Sequence, residues 1–306
     1  MTGSLLSANL FRALTSGHFA LRLDTSNASE ITLLSDADGG SVYADVISVF
    51  EGGLHFARKH PGLPKYEAFE LPIGVAASTG LFDWVAGSWG ANPEARDGAV
   101  LGVDFNFNVK SEVGFSGALV VETVIPTLDG ASKQAGHLTL RFQPEFIDAK
   151  TAAGKLSLIQ AKQKLWRTAN FRLQIEGLDC TKVSRIESFT VTRNVTTVTS
   201  GSGEVSLIPD TVEFPNLKIT FSKASAQEWV DWHESFVVNG NNSDSFERSG
   251  TISFLSNDYK SELSRIELHH LGIIRLAPDP NDTSGIARLT AELYCEEMVL
   301  GPGVNP

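Results

Sequence analysis

The feature that most constrains this chain is that it repeats itself. "HFALRLD" at 18–24 resembles "NFRLQIEGL" at 170–178, with Phe19 and Phe171 152 positions apart. "RDGAVLGVDF" resembles "RSGTISFLSND", and Gly98 and Gly250 are again 152 apart. Pro126 and Pro278 share that spacing. "HLTLRFQPEF" resembles "ARLTAELYCEE", with Leu138 and Leu289, and Glu145 and Glu296, each 151 apart. "GLPKYEAFEL" lies on "EFPNLKITF" with Pro64 matched to Pro215, also at 151. One block departs: "LFDWVAGSW" and "QEWVDWHESF" match at Trp84 and Trp229, 145 apart, as insertions in surface loops allow. Ordered blocks at a near-constant offset predict two homologous domains. We assign an N-terminal arm at 1–16, domain 1 at 17–148, a basic linker at 149–168, domain 2 at 169–300 and a tail at 301–306.

Within each copy the apolar period is two. Phe19, Leu21 and Leu23 share one face, with Arg22 and Asp24 among the residues opposite; Phe171, Leu173 and Ile175, and Leu138, Leu140 and Phe142, alternate in the same way. That alternation is the signature of half-buried strands. "ALVVETVIP" and "HHLGIIRL" are apolar on both faces, as central strands are. The Trp segments have helical spacing instead. Leu81, Trp84 and Val85 fall at i, i+3 and i+4, and Trp229, Trp232, His233 and Phe236 extend the series by a turn. Ser225 and Glu228 read as a capping box in front of the second helix. The expected fold is mainly β: two tandem antiparallel barrels or sandwiches, each with one flanking α-helix carrying Trp84 or Trp229 and Trp232.

The chain offers no reactive constellation. Asp129, Ser132 and Lys133 share a tight loop, but Asp and Ser are ordinary turn residues, and Ser132 and Lys133 are adjacent rather than one helical turn apart. "DADGG" at 36–40 begins like a calcium loop, yet its twelfth position is Ile47 rather than an acid. "WHESF" has no second histidine four residues after His233, where Val237 sits. Cys180 and Cys295, expected on the first and last strands of domain 2, lack a redox spacing and read as free thiols of a reducing compartment. The net charge of -11 disfavours specific nucleic-acid binding, which needs clustered Lys and Arg. No apolar run is long enough for a membrane span. We expect no enzyme, no metal and no cofactor. The linker carries Lys150, Lys155, Lys162, Lys164 and Arg167, a solvated connector or a docking segment.

The first domain resembles a known family. "GGSVYADVI", "KHPGLPKYEAFELPIGV", "LFDWVAGSW", "RDGAVLGVDFNFN" and "GALVVETVIPTLDGASKQAGHLTLRFQPE", in that order, are similar to tail-tube proteins of contractile phages and to inner-tube proteins of contractile injection systems. The resemblance spans roughly 18–148; domain 2 joins it through the internal repeat. It implies a small barrel with a flanking helix, six of which close a ring around a pore. It implies a structural subunit assembled in the bacterial cytoplasm into a phage tail or tail-like particle. Partners would be further copies of the chain, other tube, baseplate or hub proteins, and a surrounding sheath. The family usually has one such domain per chain, so three chains could supply a pseudo-sixfold ring; six chains with an outer tier is the alternative. A binding module reusing the fold, as cargo, effector or baseplate-attached protein, is the other functional reading. Candidate interface residues are Val42, Tyr43, Val46, Ile47, Val49 and Phe50, in a segment too apolar for an idle loop, with Asp129 and Lys133 in the turn before "HLTLRF".

Overall fold

The computed structural model describes residues 18–24, 29–75, 78–150, 154–156, 166–201, 204–279 and 287–303. In the first β unit, β1 (His18–Asp24), β2 (Ser29–Leu34) and the short β3 (Asp38–Gly39) precede a hairpin of β4 (Val42–Val49) and β5 (Arg58–Tyr66). Then come β6 (Phe69–Ile73), α1 (Thr79–Ser88), β7 (Arg96–Val103), β8 (Asn108–Ile125), β9 (Leu128–Asp129), β10 (Leu138–Gln143), β11 (Phe146–Lys150) and β12 (Gly154–Lys155). The second unit has β13 (Phe171–Ile175), β14 (Val183–Ile186), the hairpin β15 (Phe189–Thr199) and β16 (Val205–Glu213), and β17 (Leu217–Ser222). It continues with α2 (Gln227–His233), β18 (Arg248–Leu255), β19 (Glu262–Pro278) and β20 (Arg288–Pro302). Every strand pairing is antiparallel, so the chain is two tandem antiparallel β units with a helix on each.

The strand registers of the two units correspond. Phe19 faces Gly102 in the β1–β7 pair, and Phe171 faces Phe254 in β13–β18, so both strands are shifted by 152. Val100 faces Val113, and Ile252 faces Ile266. A bulge, the extra residue that bends a strand and increases its twist, breaks β8 at Val121 opposite Arg141 and Phe142. The equivalent bulge breaks β19 at Ile274 opposite Glu292 and Leu293. On the edge of the bulge Glu122 faces Arg141, while Arg275 faces Glu292, so the charges of the cross-strand pair are exchanged.

Registers also correct the sequence alignment. Phe69 faces Phe142 on β10, and Leu217 faces Leu293 on β20, which places these strands 148 apart. Matching Pro64 to Pro215 had put them 151 apart. Pro64 lies near the end of β5 and Pro215 lies between β16 and β17, so the residue type matches where the register does not.

The helices seat their tryptophans on the sheets. Trp84 is buried against Phe142, with ring centroids 5.2 Å apart, and donates to Glu94 O at 3.0 Å. Trp229 stacks on Phe221 at 4.4 Å and donates to Asp179 O. Trp232 is buried beneath the Arg248 guanidinium. The capping box does not form. Ala226 is the cap residue, Ser225 belongs to a short 3₁₀ turn, and the Glu228 carboxylate accepts from Asp179 N instead. The tether from helix to the β13 turn competes successfully with a local cap. Past His233 the helix widens into a π turn over Glu234–Val238, which keeps Phe236 buried.

Cys295 is on β20, but Cys180 lies in the turn after β13, because the strand stops at Ile175. Both thiols are free, and burial raises both pKa values to about 11, so neither is a ready thiolate. Lys150 and Lys155 are on β11 and β12, both paired with β8; Lys162 and Lys164 lie outside the described residues, as do 1–17. No described helix is long and apolar enough to cross a membrane.

Candidate functional site

The junction between the units is a shared sheet. The first half of β8 pairs with β7, β11 and β12, and its second half pairs with β10 on one side. The other side of that second half is taken by β15 of the second unit: Phe189 faces Ile125, Thr190 faces Val124, Val191 faces Thr123 and Thr192 faces Glu122. The strand edge of one unit is thus covered by the hairpin of the next, which satisfies its ladder groups. Thr123, Ile125, Phe189 and Val191 are all buried, and the apolar ones join one core cluster that spans both units.

Polar contacts fix this junction. Arg193, buried on β15, reaches the carbonyl end of α1. Its Nε and Nη2 donate to Ser88 O at 3.0 and 2.9 Å, Nη2 also donates to Gly90 O, and Nη1 donates to Asp210 O at 2.5 Å. A cation at a helix C-terminus meets the negative end of the dipole and the orphan carbonyls together. Burial lowers the guanidinium pKa, but it stays far above neutrality as Arg does. Glu145 Oε1 accepts from Leu207 N on β16 at 2.7 Å. Ser188 Oγ donates to Ile125 O at 2.8 Å.

Asp129 belongs to the same junction. It faces Arg185 across the β9–β14 pair, 3.9 Å from its guanidinium, and its Oδ1 accepts from Ala131 N at 2.8 Å. Ser132 Oγ accepts from Gln134 N and from Thr168 Oγ1. Lys133 is exposed and forms no ion pair among the described residues. Asp129 and Ser132 are therefore turn residues, held by Arg185 and Thr168 respectively, and Lys133 is exposed beside them.

The other candidate residues lie on or just after β4 of the β4–β5 hairpin, which among the described residues pairs only with itself as a two-stranded sheet. Val42, Tyr43, Val46, Ile47, Val49 and Phe50 are all exposed, Phe50 by 83%. This hairpin is the counterpart of β15–β16. Each has a bulge at the same point, between Ala44 and Val46 or between Arg193 and Val195, and each then sets a valine opposite a proline: Val46 opposite Pro61, Val195 opposite Pro209. Its anchor at the base is Ser41 and Glu67, joined by Glu67 N to Ser41 O at 2.9 Å.

On the second unit, the counterpart of the covered β8 edge is β19 from Arg275 to Pro278. Among the described residues it pairs with β20 alone, and β18 ends its pairing at Leu271. Ile274, Arg275 and Pro278 are exposed where Val121 and Ile125 are buried. Beside this edge stand Glu247, His270 and Glu296, whose ligand atoms lie within 4.8 Å of one another. Glu247 is already engaged, by His270 Nδ1 at 2.8 Å and by Tyr294 Oη at 2.6 Å. The hydrogen bond to Glu247 raises the His270 pKa, and burial raises that of Tyr294. The triad is an internally paired acidic corner, with Glu296 left exposed at the position equivalent to Glu145. Arg193, Glu145 and the β19 edge escaped the sequence reading. The signal available was Arg193 in place of Ala44, between valines that the two hairpins share.

No protein-family model matches the sequence, and no curated protein does. Among solved structures, the chain is similar to a component of the sheath–tube complex of an extracellular contractile injection system, PVC, in its extended state: 14% identity over 44% of this chain and 88% of that one, TM-score 0.35. It is similar to a component of the anti-feeding prophage cap, a tube-terminating cap, at 14% identity over 44% and 88%, TM-score 0.31. It is also similar to Hcp1 from Flavobacterium johnsoniae, at 13% identity over 44% and 98%, TM-score 0.27.

Proposed function

We propose that the chain is a non-enzymatic structural subunit of a phage tail or tail-like contractile injection system, forming rings of the inner tube or of an adaptor that caps or initiates it. One observation carries this reading: two β units with matching registers meet head to tail through a shared sheet inside one chain. A heterologous contact of this kind, repeated between chains, closes into a ring when its rotation divides the circle. The ordered sequence resemblance of residues 18–148 to tube proteins points the same way. Three chains would supply six β units, which suits a connector between threefold and sixfold parts. Native mass spectrometry and electron microscopy of the purified chain test it. Hollow rings of three chains are the expected result; rings of six would keep the subunit role and discard the pseudo-sixfold arrangement. A monomer at every concentration would remove the proposal.

A further inference from the structure

The two hairpins and the two long strands form a set of four in which only one hairpin and one strand have found each other. β15 covers β8. Among the described residues, β4, the counterpart of β15, has an uncovered outer edge, and β19, the counterpart of β8, has an uncovered edge from Arg275 to Pro278. We infer that β4 of one copy of this chain adds to β19 of the next, in the register of β15 on β8. This rests on the ring-subunit reading and names the join that such a ring would use.

The correspondence fixes the register residue by residue. The matched bulges place Ser41, Val42 and Tyr43 at the positions of Thr190, Val191 and Thr192. The shared bulge of the long strands places Ala277, Leu276 and Arg275 at the positions of Val124, Thr123 and Glu122. Ser41 therefore faces Ala277, Val42 faces Leu276, and Tyr43 faces Arg275. Val42 is 52% exposed where Val191 is 2% exposed, so the apolar side chain that the contact would bury stands ready in the free chain. Strand addition of this kind takes its affinity from main-chain hydrogen bonds and its choice of partner from alternate side chains.

A polar contact of the internal junction has its counterpart too. Glu145, which accepts from Leu207 N, corresponds to Glu296, and Leu207 corresponds to Lys59. Both Glu296 and Lys59 are exposed. The acidic corner of Glu247 and Glu296 thus meets a hairpin arm carrying Arg58, Lys59 and His60, a complementary pairing that orients the approach. Three elements are not reproduced: in the same register the arginine staple becomes Ala44, Phe189 opposite Ile125 becomes Gly40 opposite Pro278, and Ser188 becomes Gly39. The join between chains therefore lacks the buried anchor of the join within the chain, which makes it the separable one of the two.

The test mixes two single-cysteine variants, Ser41→Cys and Ala277→Cys, under mild oxidation. Disulfides span the Cα distances of facing strand residues, and the native thiols, held up by burial, serve as the background in wild-type protein. A crosslinked dimer that needs both variants supports the inference. Crosslinks that form equally in Ser41→Cys alone indicate a twofold contact and overturn it. Val42→Lys, at a position exposed in the free chain, should leave the melting temperature unchanged and raise the concentration needed for assembly about tenfold or more. Rings that form without the mixed crosslink and resist Val42→Lys overturn this join while leaving the subunit role standing. A chain that never assembles removes both.

Discussion

The edge of β8 beyond Val121 and the edge of β19 beyond Ile274 have the same bulge and the same neighbour on one side, and differ in what covers the other. Under β15, Thr123 and Ile125 are buried; without a cover, their counterparts Leu276 and Pro278 remain partly or fully exposed. The contrast teaches that exposure here depends on whether a hairpin covers the edge rather than on the sequence pattern. Both strands are written apolar on two faces, as a central strand is, yet only one is central within the chain. The sharpest way to break the comparison is to place the same charge on both hairpins. Val191→Lys buries an ammonium between β8 and the core and should cost at least about 4 kcal/mol. Val42→Lys should leave the folded chain intact. Chemical denaturation of the two variants reads the difference directly, and equal losses would mean that β4 is as buried as β15 in solution.

The next largest effect concerns the staple. Arg193→Ala removes four hydrogen bonds and leaves the carbonyls of Ser88, Gly90 and Asp210 without that partner. The unmet buried acceptor at Ser88 and the lost packing of the buried guanidinium together should cost about 3 kcal/mol. The reciprocal change, Ala44→Arg, offers β4 a staple for the end of α2 on a neighbouring copy, where Asn239 and Gly240 follow the widened turn. If the two hairpins play the same part, Arg193→Ala destabilises the chain and Ala44→Arg tightens assembly. Sedimentation velocity across a dilution series reads the second outcome; weaker assembly would separate the roles of the hairpins.

Much of this fold is readable in the sequence for a physical reason. Strands half-buried on one face must alternate, so Phe19, Leu21 and Leu23 and their counterparts Phe171, Leu173 and Ile175 declare both their structure and their kinship. The helices declare themselves through Trp84 and Trp229, which need the helical period to reach the sheet. What stayed hidden is pairing between segments far apart in the chain. Nothing local in Asp129 announces Arg185 as its facing residue, or in Glu122 announces Thr192. The hairpins were obscured by their own chemistry: β4–β5 and β15–β16 keep only the valines, the bulge and Pro61 or Pro209 in common, because one meets a folded neighbour and the other meets solvent. Matching Pro64 to Pro215 followed residue type where strand register decides.

A smaller effect follows from the exchanged charges. Arg141 Nη1 donates to Glu122 at 2.8 Å, and the second unit reverses the order, with Arg275 facing Glu292. A cross-strand pair this exposed is worth below about 1 kcal/mol. Glu122→Arg combined with Arg141→Glu rebuilds in the first unit the order found in the second. The double variant should recover most of what either single variant loses, and a double-mutant cycle measures the coupling. No recovery would mean that Thr192, facing Glu122 from β15, has made the order of charges matter at the covered edge.

The smallest expected effect lies at the turns that feed the two long strands. Asp104, before β8, accepts from Asn106 N, Asn108 N and Asn108 Nδ2, and its pKa falls to about 2, with the side-chain bond from Asn108 the leading cause. Asp258, before β19, accepts from Ser256 Oγ and Lys260 N, and its pKa is lowered in the same direction, led by Ser256. A carboxylate with a depressed pKa stabilises the fold above its unfolded value, near 3.8, and that contribution is lost as pH falls through the folded value. The stability gap between wild type and Asp104→Ala should therefore be constant above pH 5 and close between about pH 4 and 2. Asp258→Ala should open a smaller gap over the same range, because its carboxylate holds fewer donors. Melting temperatures across that range decide it. A larger effect at Asp258 would indicate that the turn of the uncovered strand depends more on its own hydrogen bonds, since no second unit braces β19.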